Sequence, residues 1–301
     1  MAATGDPLEV WMAVDAASEL SAIIAAASIV RHRPAETRTR FRIAHLPADA
    51  PRMKGWAQIA KAPGVCVSPV EVDAREFGHC KGMFGSLAVF LRLYIPSLSS
   101  VRHPVYIDTD TVFFEDIGRM VSEVDCSGWP LAMPPISRCG DRVPLERALL
   151  ARFGKSDADP YFCSGMCVFD REEFLRDGIF DACVSLARTS PGELPFCDQS
   201  LLNAVCPHVG MLDRRWNQTA FPDRNGCEID RSRGGAHFIG APKPWDLFAE
   251  FLHPHARVWI DEAGVCGLSQ SLWRRYFRRD DWRRAWRIRR QYRRWFSEGS
   301  K

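Results

Sequence analysis

The sequence predicts one large α/β domain, a sheet flanked by helices, followed by a basic helical tail. Three observations carry this. Short apolar strand-like runs alternate with helix-like stretches through the first hundred residues. The 301 residues, 46% hydrophobic and 26% charged, can bury a large core. The charge is also divided: Ser271 to Lys301 holds eleven Arg and one Lys against three acids, a net +9, which leaves −6 on everything before it. Residues 1–270 therefore read as the domain and 271–301 as the tail. Aperiodic Gly (21) and Pro (20) exclude collagen and low-complexity classes, and the composition excludes wholesale disorder.

The elements follow in order. Leu8 to Val14 is a short apolar run ending at Asp15, and Ala16 to Val30 is Ala-rich with helical composition, so strand then helix is expected. Phe41 to Leu46 and Val65 to Ser68 read as further strands, and Gly85 to Leu93 as a buried helix stopped near Pro96. Pro104 to Ile107 is a buried-strand run punctuated by Asp108-Thr109-Asp110 before it resumes through Thr111 to Phe114. Later come apolar Gly165 to Phe169, a helix-like Arg171 to Ala187, and a helix start at Asp198-Gln199. No useful internal repeat occurs.

In open α/β sheets ligands gather at the carboxyl ends of strands, where Asp108 and Asp110 stand. Two residues apart on extended backbone, their carboxylates would point the same way, and such oxygen ligands hold Mg²⁺ or Mn²⁺ beside substrate phosphates. The bland alternative is that they cap a turn. His237 in isolation reads as a satisfied core or surface histidine, and Asp198 as a helix N-cap. Eleven scattered cysteines without a CxxC pair indicate neither a disulfide framework nor a zinc ribbon, and suit a reducing cytosol. Cys163 and Cys167 read as small packing residues.

Two families fit the acidic pair. Asp108-Thr-Asp-Thr-Val112 resembles the opening of haloacid-dehalogenase-type phosphohydrolases, in which Asp108 would be a nucleophile. That motif normally follows the first strand, whereas about a third of this chain precedes it. The broader resemblance, from about Leu8 to Trp245, is to retaining glycosyltransferases of family 8. It rests on ordered segments: the strand ending at Asp15, Arg92 in Phe90-Leu-Arg-Leu-Tyr94, Tyr106-Ile-Asp-Thr-Asp-Thr-Val112, Tyr161-Phe-Cys-Ser-Gly165, Asp198-Gln-Ser-Leu-Leu-Asn203 and His237-Phe-Ile-Gly-Ala-Pro-Lys-Pro-Trp245.

This resemblance implies a GT-A-type mixed sheet that binds a nucleotide sugar, and a hexosyltransferase, galactosyl or glucosyl, of the lipopolysaccharide-biosynthesis kind. It implies a UDP-sugar donor and a metal held by Asp108, Asp110 and His237, Mn²⁺ with Mg²⁺ as the alternative. Donor contacts would fall to Ala13, Asp15, Arg92, Asp108, Thr109, Asp110, Gly240 and Lys243, the last placing positive charge on the phosphates. Asp198 would bind donor hydroxyls, with Gln199 facing the anomeric carbon. Gln being a poor nucleophile, front-face substitution is expected, with the leaving phosphate accepting the acceptor's proton. Cys163 departs from the family, replacing its Asn with a weakly bonding thiol. Leu131 to Ile136 lacks the Asp of the lipopolysaccharide galactosyltransferases, so their acceptor is not implied. A catalytically inactive nucleotide-binding membrane adaptor is the non-enzyme alternative.

In the tail, Arg pairs interleave with Trp273, Tyr276, Phe277, Trp282, Trp286, Tyr292, Trp295 and Phe296 at helical spacings, with Asp280 or Asp281 able to cap a second segment. An interfacial helix on anionic lipid has this composition; packing of the aromatics onto the body, or RNA binding, are the alternatives. The expectation is a peripheral protein on the cytosolic membrane face, without a nucleic-acid partner. Its acceptor would be a glycan or lipid-linked. Deleting the tail should then abolish liposome binding and spare turnover of soluble donor. The N-terminus lacks a signal peptide's basic region and Leu20 to Val30 is too short to span a bilayer, so no anchor is expected. Asn217-Gln-Thr219 matches a glycosylation sequon by chance.

Overall fold

The computed structural model describes residues 7–83, 85–124, 128–220, 228–268, 279, 281–286 and 289. Strand β1 (Leu8–Ala13) runs into helix α1 (Glu19–His32), followed by β2 (Thr39–His45) and β3 (Val65–Glu71). Next come β4 (Val105–Ile107), β5 (Thr111–Phe113), α2 (Gly118–Glu123), β6 (Leu131–Met133), β7 (Pro135–Arg138) and α3 (Pro144–Arg152). Then follow β8 (Pro160–Phe162), β9 (Met166–Phe169), α4 (Arg171–Arg176), α5 (Ile179–Thr189), α6 (Asp198–Val205), β10 (Gly210–Met211), β11 (Gln218–Thr219), β12 (Gly235–His237) and α7 (Ala256–Val265). Shorter helical turns carry no label.

The main sheet has the order β10-β6-β9-β4-β1-β2-β3, with β9 antiparallel to both neighbours and the other pairs parallel. It is the mixed sheet that the family resemblance implies. Central β1 buries Val10, Trp11 and Met12 completely, because both of its faces are covered. Its apolar residues divide between two cores, Trp11 packing in one with Phe77, Phe90 and Phe169, Val10 and Met12 in the other with Ile23 and Ile29 of α1. β5 leaves this sheet for a small one, ordered β11-β12-β5, in which it pairs antiparallel with β12. The Phe113 backbone N–H donates to Ser28 Oγ at 3.0 Å, tying the small sheet to α1.

Several expected elements change shape. Asp108 to Asp110 forms a turn, closed by Thr111 Oγ1 donating to the Asp108 carbonyl at 2.9 Å. The extended geometry expected there is thus replaced, and the chain uses the turn to change sheets. The buried helix expected over 85–93 is a 3-10 helix, Leu87–Tyr94, and Pro96 lies inside the following turn rather than ending the segment. The helix expected over 171–187 is broken at Gly178, whose φ of 62° only glycine adopts freely. Asp198 is the first residue of α6 and not its cap, a position taken by Cys197.

The nine described cysteines are free thiols. No described helix is long and apolar enough to cross a membrane. Of the tail, 281–286 is helical. Trp273, Tyr276, Phe277, Asp280, Tyr292, Trp295 and Phe296 lie outside the described residues.

Candidate active site

The turn between β4 and β5 delivers two carboxylates to one spot, and β12 brings His237 there, since its antiparallel register sets His237 opposite Thr111. Nε2 of His237 lies 3.2 Å from Oδ1 of Asp110 and 3.7 Å from Oδ2 of Asp108. One donor atom from each of the three residues falls within 4.8 Å of the others. Lys243 Nζ donates to the second oxygen of Asp110 and, at 2.6 Å, to the Phe238 carbonyl. Burial favours a neutral Asp110, but Lys243 and His237 outweigh it and hold the carboxyl well below the usual range. Burial likewise works against a charged His237, which Asp110 nonetheless lifts to about 10.

A divalent cation fits this cluster by donor chemistry: two carboxylates and an imidazole. Nδ1 of His237 is engaged at 2.7 Å by the Asn217 side-chain oxygen, which makes Nδ1 the donor and turns Nε2 toward the carboxylates. Close approach is secured by Gly165, where a Cβ would come within 2.4 Å of His237 Cε1 and 2.8 Å of Asp108 Oδ2. The Cys163 thiol, 3.8 Å from the same Nδ1, lines the other side.

A second group converges on Arg92, which is 4% exposed. The guanidinium reaches Asp108 Oδ1 through Nη2 at 2.9 Å, Asp198 Oδ2 through Nε at 3.0 Å and Ser164 Oγ through Nη1 at 3.0 Å. It stacks 4.2 Å from the Tyr106 ring centroid, and the Tyr106 hydroxyl donates to Asp108 at 2.6 Å. Burial alone would lower its pKa, yet Asp108 and Asp198 raise it well above the ordinary value. Asp198, 3% exposed, accepts from Ser164 Oγ at 2.7 Å. Its pKa is pushed up to about 6 by burial, with Arg92 and Ser164 opposing. Gln199 follows it, its Oε1 accepting the Ser164 backbone N–H at 3.1 Å.

Seven expected residues are thus assembled: Arg92, Asp108, Asp110, Asp198, Gln199, His237 and Lys243. The remaining four contribute differently. Ala13 ends β1, which pairs with β4 through Val10 with Val105 and Trp11 with Tyr106. Asp15 spends Oδ1 within its own turn, accepting from the backbone of Ala17 and Ser18 and from Ser18 Oγ. Thr109 lies between the acids in the turn, and Gly240, at φ 85°, opens the loop that carries Lys243. Sequence reasoning missed Ser164, the common partner of Arg92, Asp198 and Gln199, and set aside Asn217. Pairing of Thr219 with His237 is what brings Asn217 to the imidazole.

A family model described as Glycosyl transferase family 8 matches residues 9–248. General stress protein A of Bacillus subtilis (strain 168) is 25% identical over 211 residues, covering 64% of this chain and 70% of its own. In fold, the chain matches the WbbM bifunctional glycosyltransferase with a TM-score of 0.69 at 17% identity, over 90% of this chain and about half (52%) of that one. LgtC, a galactosyltransferase solved with donor and acceptor sugar analogues, matches with a TM-score of 0.68 at 17% identity, over 85% of this chain and 95% of its own.

Proposed function

The chain belongs to glycosyltransferase family 8 and is a glycosyltransferase, and from that premise we propose that it moves a hexose, galactose or glucose, from a UDP-sugar with retention of configuration. The acceptor in this reading is a glycan or a lipid-linked sugar such as lipopolysaccharide. The observation that carries the proposal is the convergence of Asp108, Asp110 and His237 beside Lys243 at the carboxyl end of β4.

In this reading Asp108, Asp110 and His237 hold a divalent cation, Mn²⁺ or Mg²⁺. The bound cation supplies Lewis-acid neutralisation of diphosphate charge. Lys243 adds a fixed positive charge for the departing nucleotide. Arg92 locks Asp108 and Asp198 in register, so the diphosphate end and the sugar end of the donor are placed by one rigid fork. Asp198 accepts from donor hydroxyls, and Gln199 faces the anomeric carbon. The acceptor oxygen forms the new bond on the face from which UDP leaves, and its proton passes to the leaving phosphate.

UDP release from a panel of UDP-sugars, with and without Mn²⁺, tests this in the wild type and in Asp110→Ala. Metal-dependent release from one donor, lost in the variant, supports the proposal and names the sugar; metal-independent release equal in both proteins overturns it. The phosphohydrolase alternative is not favoured, because the family model that matches residues 9–248 is that of glycosyltransferases.

We also propose that the tail lies on an anionic membrane at its cytosolic face. The exposed rings of Trp282 (49%) and Trp286 (67%) support this, and Trp282 packs edge-on to Phe248 at 5.7 Å. Deletion of the tail would not be a clean test. Arg284 Nε bonds Asp246 Oδ1 at 2.5 Å, and Asp246 Oδ2 accepts the Lys243 backbone N–H at 2.7 Å, so the tail reaches the Lys243 loop. The double substitution Trp282→Ser and Trp286→Ser should weaken binding to anionic liposomes and leave Arg284 in place; undiminished binding contradicts the membrane reading.

A further inference from the structure

Glu146 of α3 is fully buried, and no ion pair to it occurs among the described residues. Its two oxygens are met by hydroxyls instead: Tyr161 Oη donates to Oε1 at 2.8 Å and Ser200 Oγ to Oε2 at 2.8 Å. Burial raises its pKa, opposed by those two hydrogen bonds and by the positive charge of Arg142 nearby. A buried charge without an ion pair is costly, and the two hydroxyls offset part of that cost. What the carboxylate adds is direction.

The role follows from hydrogen-bond direction. A carboxylate only accepts, so the Tyr161 proton is committed to Glu146 and the phenol oxygen must act as acceptor on its other side. The donor there is Nε2 of Gln199, at 3.2 Å. With its NH₂ so engaged, the Gln199 amide turns Oε1 to the Ser164 backbone N–H at 3.1 Å. Ser200 works in the same sense, giving its proton to Glu146 and accepting the Phe196 backbone N–H at 3.0 Å, which fastens the turn that delivers Gln199. The Ser164 N–H, which can only donate, fixes the Oε1 end of the Gln199 amide, and the Glu146 carboxylate fixes the other end by leaving Tyr161 Oη as the acceptor for Nε2.

We propose that Glu146 is a positioning residue that, through Tyr161, holds the NH₂ end of the Gln199 amide and so works with the Ser164 N–H to keep that amide in one orientation. The catalytic consequence rests on the reading of Gln199 as the residue facing the reacting carbon; the orientation itself does not. In Glu146→Gln the group at this position can both donate and accept, so the relay loses its enforced direction while shape is kept. Tyr161→Phe cuts the relay and leaves the carboxylate in place, a second variant should the first fail to fold.

The test has two readouts. In protein labelled with ¹⁵N-glutamine, the Gln199 side-chain resonance is identified by its absence in Gln199→Ala. It should shift and exchange faster with water in both Glu146→Gln and Tyr161→Phe, while the melting temperature of Glu146→Gln is held or raised. A Gln199 resonance unmoved in a folded variant overturns the proposal, whether or not a donor sugar is known. With the UDP-sugar that turns over, Glu146→Gln should lower kcat about tenfold with donor KM unchanged, and should cost nothing further in a Gln199→Ala background. A second tenfold loss in that background would show that Glu146 does not act through Gln199. Absence of turnover by the wild type would strike the transferase reading alone, the resonance test still deciding the orientation.

Discussion

The Asn217 side-chain oxygen lies 2.7 Å from Nδ1 of His237, and both residues are buried. A partner of this kind fixes the ring and raises the basicity of the ligating nitrogen. Asn217→Ala is expected to weaken Mn²⁺ binding about 10- to 100-fold, measured by titration of the ion against the protein with electron paramagnetic resonance. Equal affinity in variant and wild type would contradict the arrangement.

Among the described residues, Arg92 alone forms an ion pair with both Asp108 and Asp198. Arg92→Met leaves two acids without their cation and should destabilise the fold by about 3–5 kcal/mol. Arg92→Lys restores charge but not the three-way fork, so it should recover part of the stability and little activity. Denaturant unfolding paired with UDP release separates these outcomes.

Gly165 admits no side chain. Its carbonyl accepts the Asp108 backbone N–H at 2.7 Å, so the backbone cannot move aside for a methyl group that would strike His237. Gly165→Ala should therefore cost about 1–3 kcal/mol and lower cation affinity together with donor turnover, seen by thermal unfolding and ion titration on the same preparation.

Asp198, with its pKa raised to about 6 by burial against Arg92 and Ser164, should give an acidic limb to the pH profile of kcat/KM with its midpoint near that value. The limb should report chemistry and not unfolding. Because the folded value lies above the unfolded one, protonating this group between pH 6 and 4 favours the folded state. Melting temperatures taken over the same pH range should not fall as the activity limb is crossed.

The apolar run through β1, the acids after β4 and the order of the later motifs were legible because each is a local pattern. The Gly178 break and the 3-10 helix bearing Arg92 were not, since both depend on φ values and packing that hydrophobic spacing does not encode. At the site, carboxylates and histidine announced themselves by chemistry. Asn217 and Ser164 act through contacts 20 and 34 residues from their partners His237 and Asp198, so a local reading gives them no weight. Glu146 reaches Ser200 across 54 residues and is legible only when α3, β8 and α6 are packed together.

The central claim is that Asp108, Asp110 and His237 form a cation site serving a uridine diphosphate. Calorimetric titration of UDP into the wild type and Asp110→Asn, each with Mn²⁺ and with chelator, tests it most directly. The account predicts binding to the wild type that appears with Mn²⁺, vanishes with chelator and is lost or much weakened in the variant. UDP binding of equal strength in all four titrations would contradict it.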